Sequence, residues 1–346
     1  MISKLNRRLR VMATVVAVVW AWTAMAQADA SVINKVAQRF SFTGYAQAGW
    51  EYHDQSDPNN EFSINKIILM SNFKVTDEVN AFAMFDFKGF TLHELWVNYR
   101  VKPWLQVKLG QFKTPFSIEN PLSPASLEMI TQTSLVTNHM ICGASPTMMP
   151  AGAGRDIGLN VGGDAGTWLT YDLAVMNGAG RNKRDDNSWK DFVARLTLHP
   201  VQVLDVSASA VLGKGATKSL GEGMAAAVWR DEAVKNDYVR NRFAAGASLR
   251  TRVADARAEW MWGKDGRLKS NGCYATTQVK NVAVRGLDVV ASFDHLDTGL
   301  DITNRYQAGV QYWFYKKCRA QAGYAYTKQH GSAGENAILT QVQVAF

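Results

Sequence analysis

Residues 306–314, YQAGVQYWF, alternate strictly between two faces. Tyr306, Ala308, Val310, Tyr312 and Phe314 fall on one face, and the residues between them, two of them glutamines, fall on the other. A period of two is the pattern of a β-strand that lies between two different environments. The same alternation returns along the chain and predicts sixteen strands, which start near residues 40, 62, 79, 91, 104, 155, 167, 189, 203, 238, 253, 272, 287, 304, 319 and 338.

Charged side chains avoid one face of these segments. The apolar faces within 79–87, 204–212 and 306–314 contain no Asp, Glu, Lys or Arg, whereas the opposite faces of the strands are rich in all four. A charge that faces lipid at the midplane of a barrel costs about 2–4 kcal/mol, and a face with this many charges suits a wet interior rather than a dry one. The pattern predicts an all-β fold, a 16-stranded antiparallel transmembrane β-barrel with lipid outside, water inside and both chain ends on one side.

The first thirty residues differ from the rest. A basic start is followed by the apolar run VMATVVAVVWAW (11–22) and then by small residues. This order is typical of a secretory signal peptide, and the apolar run is short for a membrane-spanning helix. We expect a signal peptide over 1–30 with cleavage after Ala28 or Ala30, and a single barrel over 31–346; an uncleaved anchor is the alternative.

Composition and motifs point away from several classes of protein. The formal net charge is +8, but the basic residues form no cluster, so nucleic acid is not an expected partner. The six histidines have no serine motif nearby, and no catalytic site, cofactor or metal site is predicted. His93 falls in the lipid-facing register. Acidic loop residues at 54–57 and 185–186 leave a Ca²⁺ site open, and Cys142, Cys273 and Cys318 leave room for one disulfide.

The connections between strands alternate in length. Those at 76–78, 101–103, 199–202, 251–252 and 316–318 are short, and most of the intervening ones are longer, 264–271 among them. Barrels of this class place short turns at the periplasmic end and long loops outside. The connection at 113–154, the third of the loops, is the longest, and its unusual apolar content indicates that it folds into the lumen as a constriction.

A resemblance to a known family rests on three stretches. They are LHELWVNYRVKPWLQVKLGQFKTPFSIENPLSP (92–124), RDIGL (155–159) and YDLAVMNG (171–178). In this order they resemble the phosphate-selective porin O and P family. The resemblance implies a homotrimer in the outer membrane of a Gram-negative bacterium, an inward third loop and a basic lumen that selects anions. It assigns Pro115, Phe116, Ser117 and Glu119 to the constriction loop. Phe346 resembles the C-terminal signal read by the barrel assembly machinery.

We therefore expect a porin for passive diffusion of small hydrophilic solutes, with a preference for anions such as phosphate. Selectivity in a wet pore comes from charge at its narrowest part. The candidate pore residues are Lys113 and Lys108, followed by Arg100, Arg155, Arg195, Arg240, Arg242 and Arg257. Alternatively, these cations pair with acids on the same face. A second alternative is a structural or adhesive barrel whose pore the 113–154 loop closes. Outer-membrane lipid and lipopolysaccharide are further expected partners.

Overall fold

The computed structural model describes residues 37–143, 152–216 and 237–346. The predicted signal peptide, 1–30, lies outside these residues. Sixteen strands form one sheet in which each strand pairs with the next, and β1 pairs with β16 to close a barrel. Every pairing is antiparallel. The prediction of a closed 16-stranded antiparallel barrel is confirmed.

The strands begin and end close to the predicted positions. They are β1 Phe40–His53, β2 Asn60–Lys74, β3 Val79–Asp86, β4 Thr91–Lys102, β5 Leu105–Lys113, β6 Arg155–Ala165, β7 Leu169–Met176, β8 Asp191–Val201, β9 Leu204–Ala216, β10 Asp237–Arg250, β11 Ala254–Asp265, β12 Leu268–Val279, β13 Leu287–Asp297, β14 Ile302–Tyr315, β15 Cys318–Gln329 and β16 Gly334–Ala345. A short helix, α1, covers Leu135–Thr137 and continues as a π-helical turn over Asn138–Cys142. Among the described residues, no helix has the length and apolarity needed to cross a membrane.

The two surfaces of the sheet have opposite chemistry. Outward side chains such as Leu173, Val310 and Val342 are apolar and exposed, while inward ones such as Gln311 and Arg319 are polar and buried. A barrel in water would hide its apolar face. The exposed apolar wall is the arrangement that a lipid-embedded barrel requires.

The barrel has two distinct ends. We call the end with both described chain termini the turn end; its connections include 103–104, 202–203 and 316–317, and the opposite end is the loop end. One predicted loop is wrong, because β11 and β12 extend until only residues 266–267 join them. Lys264 pairs with Lys269 and Asp265 with Leu268, and Gly266 supplies the positive φ of 58° that such a tight turn needs.

His93 corrects a second expectation. Met84 of β3 pairs with Glu94 and the next residue, Phe85, pairs with Leu92, so His93 is the extra residue of a β-bulge. The bulge shifts the alternation by one position. His93 is consequently buried, with Nε2 3.6 Å from Oδ2 of Asp86, and the predicted lipid-facing position is wrong.

The last residue takes part in closing the barrel. The backbone N–H of Phe346 donates to the carbonyl of Gly44 in β1 at 3.0 Å, and the N–H of Gly44 donates back at 3.3 Å. The Phe346 ring is 71% exposed on the outer surface. A Cβ on Gly44 would lie 2.8 Å from this ring, so the glycine gives the ring its space.

Candidate functional site

The connection between β5 and β6 contacts strands far from its own. We call its described residues, 114–143 and 152–154, the β5–β6 segment. The Ser117 N–H donates to Ser209 Oγ of β9 at 3.0 Å, and the Ser117 hydroxyl donates to Glu259 of β11 at 2.6 Å. The Ile118 N–H also donates to Glu259, at 3.0 Å. A buried carboxylate is costly unless it accepts hydrogen bonds, and this segment supplies two of its donors.

Arg257 of β11 binds two acids of the segment. Its Nη1 lies 2.8 Å from Glu128 Oε1, and its Nη2 lies 3.3 Å from Glu119 Oε1. All three side chains are almost completely buried. Glu119 Oε2 accepts a further hydrogen bond from the N–H of Ser134, the residue that caps α1. One arginine therefore ties two distant parts of the segment to the same strand.

Backbone carbonyls of the segment face long polar side chains of the last strands. Arg319 of β15 donates to the carbonyl of Leu127 at 2.8 Å, and Gln321 donates to that of Glu128 at 2.9 Å. These bonds satisfy carbonyls that have no partner in regular secondary structure. The segment thus has polar contacts with strands from β9 to β15.

Apolar side chains fill the space between these polar contacts. Phe116, Val136 and Met140 of the segment have no exposed surface and pack in one cluster with Met261 of β11 and Tyr274 of β12. This burial explains the apolar residues that are unusual for a surface loop. Phe116 therefore anchors the segment to the barrel wall.

A cavity of about 270 Å³ lies on the other side of the segment. Strands β2 to β8 form one part of its wall, and prolines of the segment form the other. Its lining consists of Met70, Phe82, Met84, Glu94, Trp96, Lys108, Phe112, Lys113, Pro115, Pro121, Ser123, Pro124, Arg155, Asn160, Asp172 and Arg195. Four basic and two acidic side chains meet here, among them four of the eight predicted pore cations.

Two of the four cations form no ion pair among the described residues, although Arg195 lies opposite Asp172 in the register of β7 and β8. Lys108 lies with Nζ 4.8 Å from the centre of the Trp96 ring. Arg195 donates one long hydrogen bond, 3.5 Å, from Nε to Ser207 Oγ. Within residues 37–143, 152–216 and 237–346, neither side chain forms an ion pair. Both are partly exposed, so both are available to an anion in the cavity.

The other two basic side chains of the cavity, Arg155 and Lys113, already bind groups of the protein itself. Arg155 places Nη2 3.1 Å from Glu94 and donates from Nη1 to the carbonyl of Ala153 at 3.0 Å. Lys113 donates to the carbonyls of Asn120, at 2.8 Å, and of Leu122. Lys113 therefore fixes the entry of the segment while it also lines the cavity, and its part in anion selection stays a prediction.

The remaining predicted cations lie elsewhere. Arg240 pairs with Asp191 at 2.7 Å and Arg242 with Asp265 at 2.9 Å, both deeply buried. With Arg257 they follow the alternative in which lumenal cations pair with acids. Arg100 is exposed at the end of β4 that leads to residues 103–104, away from the cavity.

The aromatic residues of this lining were not among the predicted site residues. Phe82 and Trp96 stack with ring centres 5.1 Å apart and an angle of 21° between their planes. Both occupy inward positions, where the alternation favours polar residues. A large ring in the polar register was the signal available in the sequence.

The described cysteines and acidic residues form neither a disulfide nor a cluster suited to a metal ion. All three cysteines are free, so the possible disulfide is not formed. Burial raises the pKa of the Cys142 thiol, in the β5–β6 segment, to about 12. In the part of the chain that the structure describes, no group of three or more His, Cys, Asp or Glu is placed to hold a metal ion.

Comparison with known proteins gives a likeness of fold only. No protein-family model and no curated protein matches the sequence. The anion-selective porin from Comamonas acidovorans superposes with a TM-score of 0.65 at 11% identity, over 89% of this chain and 99% of that one. The trimer form of OmpT, an outer membrane protein of Vibrio cholerae, gives 0.64 at 12% identity over 89% and 99%. The outer membrane channel DcaP of Acinetobacter baumannii gives 0.60 at 12% identity over 89% and 97%.

The chain thus has the fold of a multi-pass outer-membrane β-barrel of the porin type. The narrower resemblance, to the phosphate-selective O and P family, stays a prediction.

Proposed function

We propose that this protein is an outer-membrane channel for passive diffusion of small hydrophilic solutes, with a preference for anions. A closed barrel of sixteen strands is wide enough to leave an aqueous passage. Its exposed apolar wall suits lipid, and its inner surface is polar. These features support a pore rather than a plugged scaffold.

We further propose that the β5–β6 segment folds into the barrel and narrows it. Its hydrogen bonds to Ser209, Glu259 and Arg319, all on the polar face of their strands, support this position. The solute path then lies between the segment and strands β2 to β8, where the cavity is. Pro115 lines that path, whereas Ser117 and Glu119 hold the segment in place.

The observation that carries the anion preference is the pair Lys108 and Arg195. Both line the cavity, and neither forms an ion pair among the described residues. Cations at a constriction lower the energy of a passing anion and raise that of a cation. Phosphate is one candidate among these anions, because the family resemblance implies it.

The biological setting follows from the same fold. We propose a location in the outer membrane of a Gram-negative bacterium, in contact with lipid and lipopolysaccharide. Assembly by the barrel assembly machinery through Phe346 and association into a homotrimer complete the proposal. The trimer form of the Vibrio cholerae protein supports the homotrimer, and the description of the Comamonas acidovorans protein as anion-selective supports the anion preference.

Reconstitution in a planar lipid bilayer tests the function. A diffusion channel gives steady conductance steps. If the channel prefers anions, the reversal potential in a KCl gradient has the sign expected when chloride passes more readily than potassium, which we call the anionic sign. The adhesive or structural alternative, with the pore closed by the β5–β6 segment, predicts no steady conductance. A reversal potential of cationic sign would refute the anion preference while leaving the channel intact.

A further inference from the structure

The cavity has an apolar wall that a channel for inorganic ions does not need. Phe82, Trp96 and Met70 face it from β3, β4 and β2, and each is partly exposed. In contrast, the inner face of the strands near the closure of the barrel carries glutamines such as Gln47 and Gln343. Packing against the segment accounts for Phe112, which is buried, but it leaves the exposed surface of Phe82 and Trp96 unexplained.

A cation lies directly beside this apolar wall. Lys108 Nζ is 4.8 Å from the centre of the Trp96 ring and 5.5 Å from that of Phe112. Phe82 stacks on Trp96, so the rings of three neighbouring strands and the ammonium group form one continuous row. Opposite Trp96, the paired residue is Gly110, which has no side chain to cover the row.

The polar part of the lining offers few free donors. Arg155 and Lys113 already donate to a carboxylate and to carbonyls, and Arg195 and Lys108 remain. Phosphate is strongly hydrated and needs many hydrogen bonds when it loses its water. The apolar wall on one side of the cavity supplies no hydrogen bonds to phosphate. The carboxylates of Glu94 and Asp172 in the same lining also repel a dianion more than a monoanion.

We infer that the solutes this channel favours are aromatic carboxylates rather than phosphate, an inference that rests on the proposed function. The carboxylate pairs with Lys108 or Arg195 at the polar side of the cavity. The flat ring lies against the row of Phe82 and Trp96, where contact between aromatic groups adds affinity beyond the burial of area. A carboxylate without a ring gains only the first of these interactions.

Block of the chloride current through the reconstituted wild-type protein tests the inference. Sodium benzoate, sodium acetate and inorganic phosphate are each titrated against the current at one pH. We expect benzoate to reach half-block at the lowest concentration of the three. Trp96→Leu should raise that concentration by about three- to tenfold and leave the effect of phosphate unchanged. Trp260→Leu, on the exposed outer surface, is the matched control and should alter neither.

The outcomes separate the inference from the proposed function. A wild-type protein that does not conduct would overturn both. Anion-selective conduction in which phosphate blocks at a lower concentration than benzoate would overturn the inference alone. Equal block of the wild-type current by benzoate and acetate would also overturn the inference. This comparison needs only the wild-type protein, so it stays valid even if the Trp96→Leu variant does not fold.

Discussion

Arg257 of β11 donates a hydrogen bond from Nη1 to Oε1 of Glu128 in the β5–β6 segment at 2.8 Å, and its Nη2 lies 2.7 Å from Oε2 of the same carboxylate. The two residues lie 129 positions apart in the chain. β11 is also six strands away from β5 around the barrel. A buried ion pair with a charge-assisted hydrogen bond holds the two side chains firmly together. The position of the segment depends on it.

Arg257→Met should loosen the segment. The substitution leaves Glu119 and Glu128 buried without their cation, which costs about 3–5 kcal/mol for a broken buried pair. We expect larger and noisier single-channel currents in the variant. Arg250→Met is the control, because that arginine is exposed at the turn end and pairs with Asp205, away from the segment. Currents that match the wild type in both variants would show that Arg257 does not hold the segment.

Met140 packs directly against Gly263 of β11, where a larger residue would collide with it. A Cβ at Gly263 would lie 2.9 Å from Met140 Sδ, whereas one at Gly323 would meet nothing closer than 3.4 Å. We expect Gly263→Ala to lower the free energy of unfolding by about 1–3 kcal/mol through overpacking and Gly323→Ala to leave it nearly unchanged. Urea titration of the protein in lipid vesicles measures both. Equal stabilities would contradict the tight contact.

Deletion of Phe346 should reduce the yield of folded barrel. It removes the two backbone hydrogen bonds to Gly44 that finish the closure of β1 on β16, and it removes the proposed assembly signal. The fraction of folded protein is measured by its altered mobility on unheated gels. Phe314→Ala, an exposed ring on the outer surface, serves as the control. Full yield without Phe346, both in cells and in refolding from denaturant, would rule out both roles.

Cys142 should react slowly with a water-soluble maleimide. Cys142 is half-buried, and burial of its thiol raises the pKa of that group to about 12. The thiol therefore stays protonated at neutral pH, and the thiolate is the reactive form. In a chain with Cys273→Ala and Cys318→Ala, the labelling rate should keep rising with pH well past the ordinary thiol range. A plateau near pH 9 would mean that Cys142 is open to solvent. The same chain unfolded in detergent provides the reference rate.

Most of the fold could be predicted because lipid outside and polar groups inside impose a strict period of two. The predicted positions of His93 and of the 264–271 loop were wrong because local backbone geometry breaks that period there. The bulge at His93 turns one side chain inward, and the turn at Gly266 lets two strands extend through a polar stretch that alternation treats as a loop.

The site was less predictable. The position of a residue in the alternating pattern predicts which face of the sheet its side chain lies on, but it does not predict which other side chain it contacts. Lys108, Arg195 and Arg240 all lie on the polar face, as expected. Only the folded chain brings Asp191 to Arg240 and leaves Lys108 beside Trp96 instead of an acid. Arg240 and Asp191 lie on different strands 49 positions apart, and Lys108 and Trp96 lie on neighbouring strands, but the alternation of polar and apolar residues specifies neither contact.

The central claim is that anions pass the gap lined by Lys108 and Arg195, and the reversal potential in a KCl gradient tests it most directly. The wild type should give a potential of anionic sign, and Lys108→Glu combined with Arg195→Glu should move it toward the cationic sign. Lys328→Glu, an exposed residue at the loop end, should leave it nearly unchanged. A potential that is the same in the double variant and the wild type would contradict the claim.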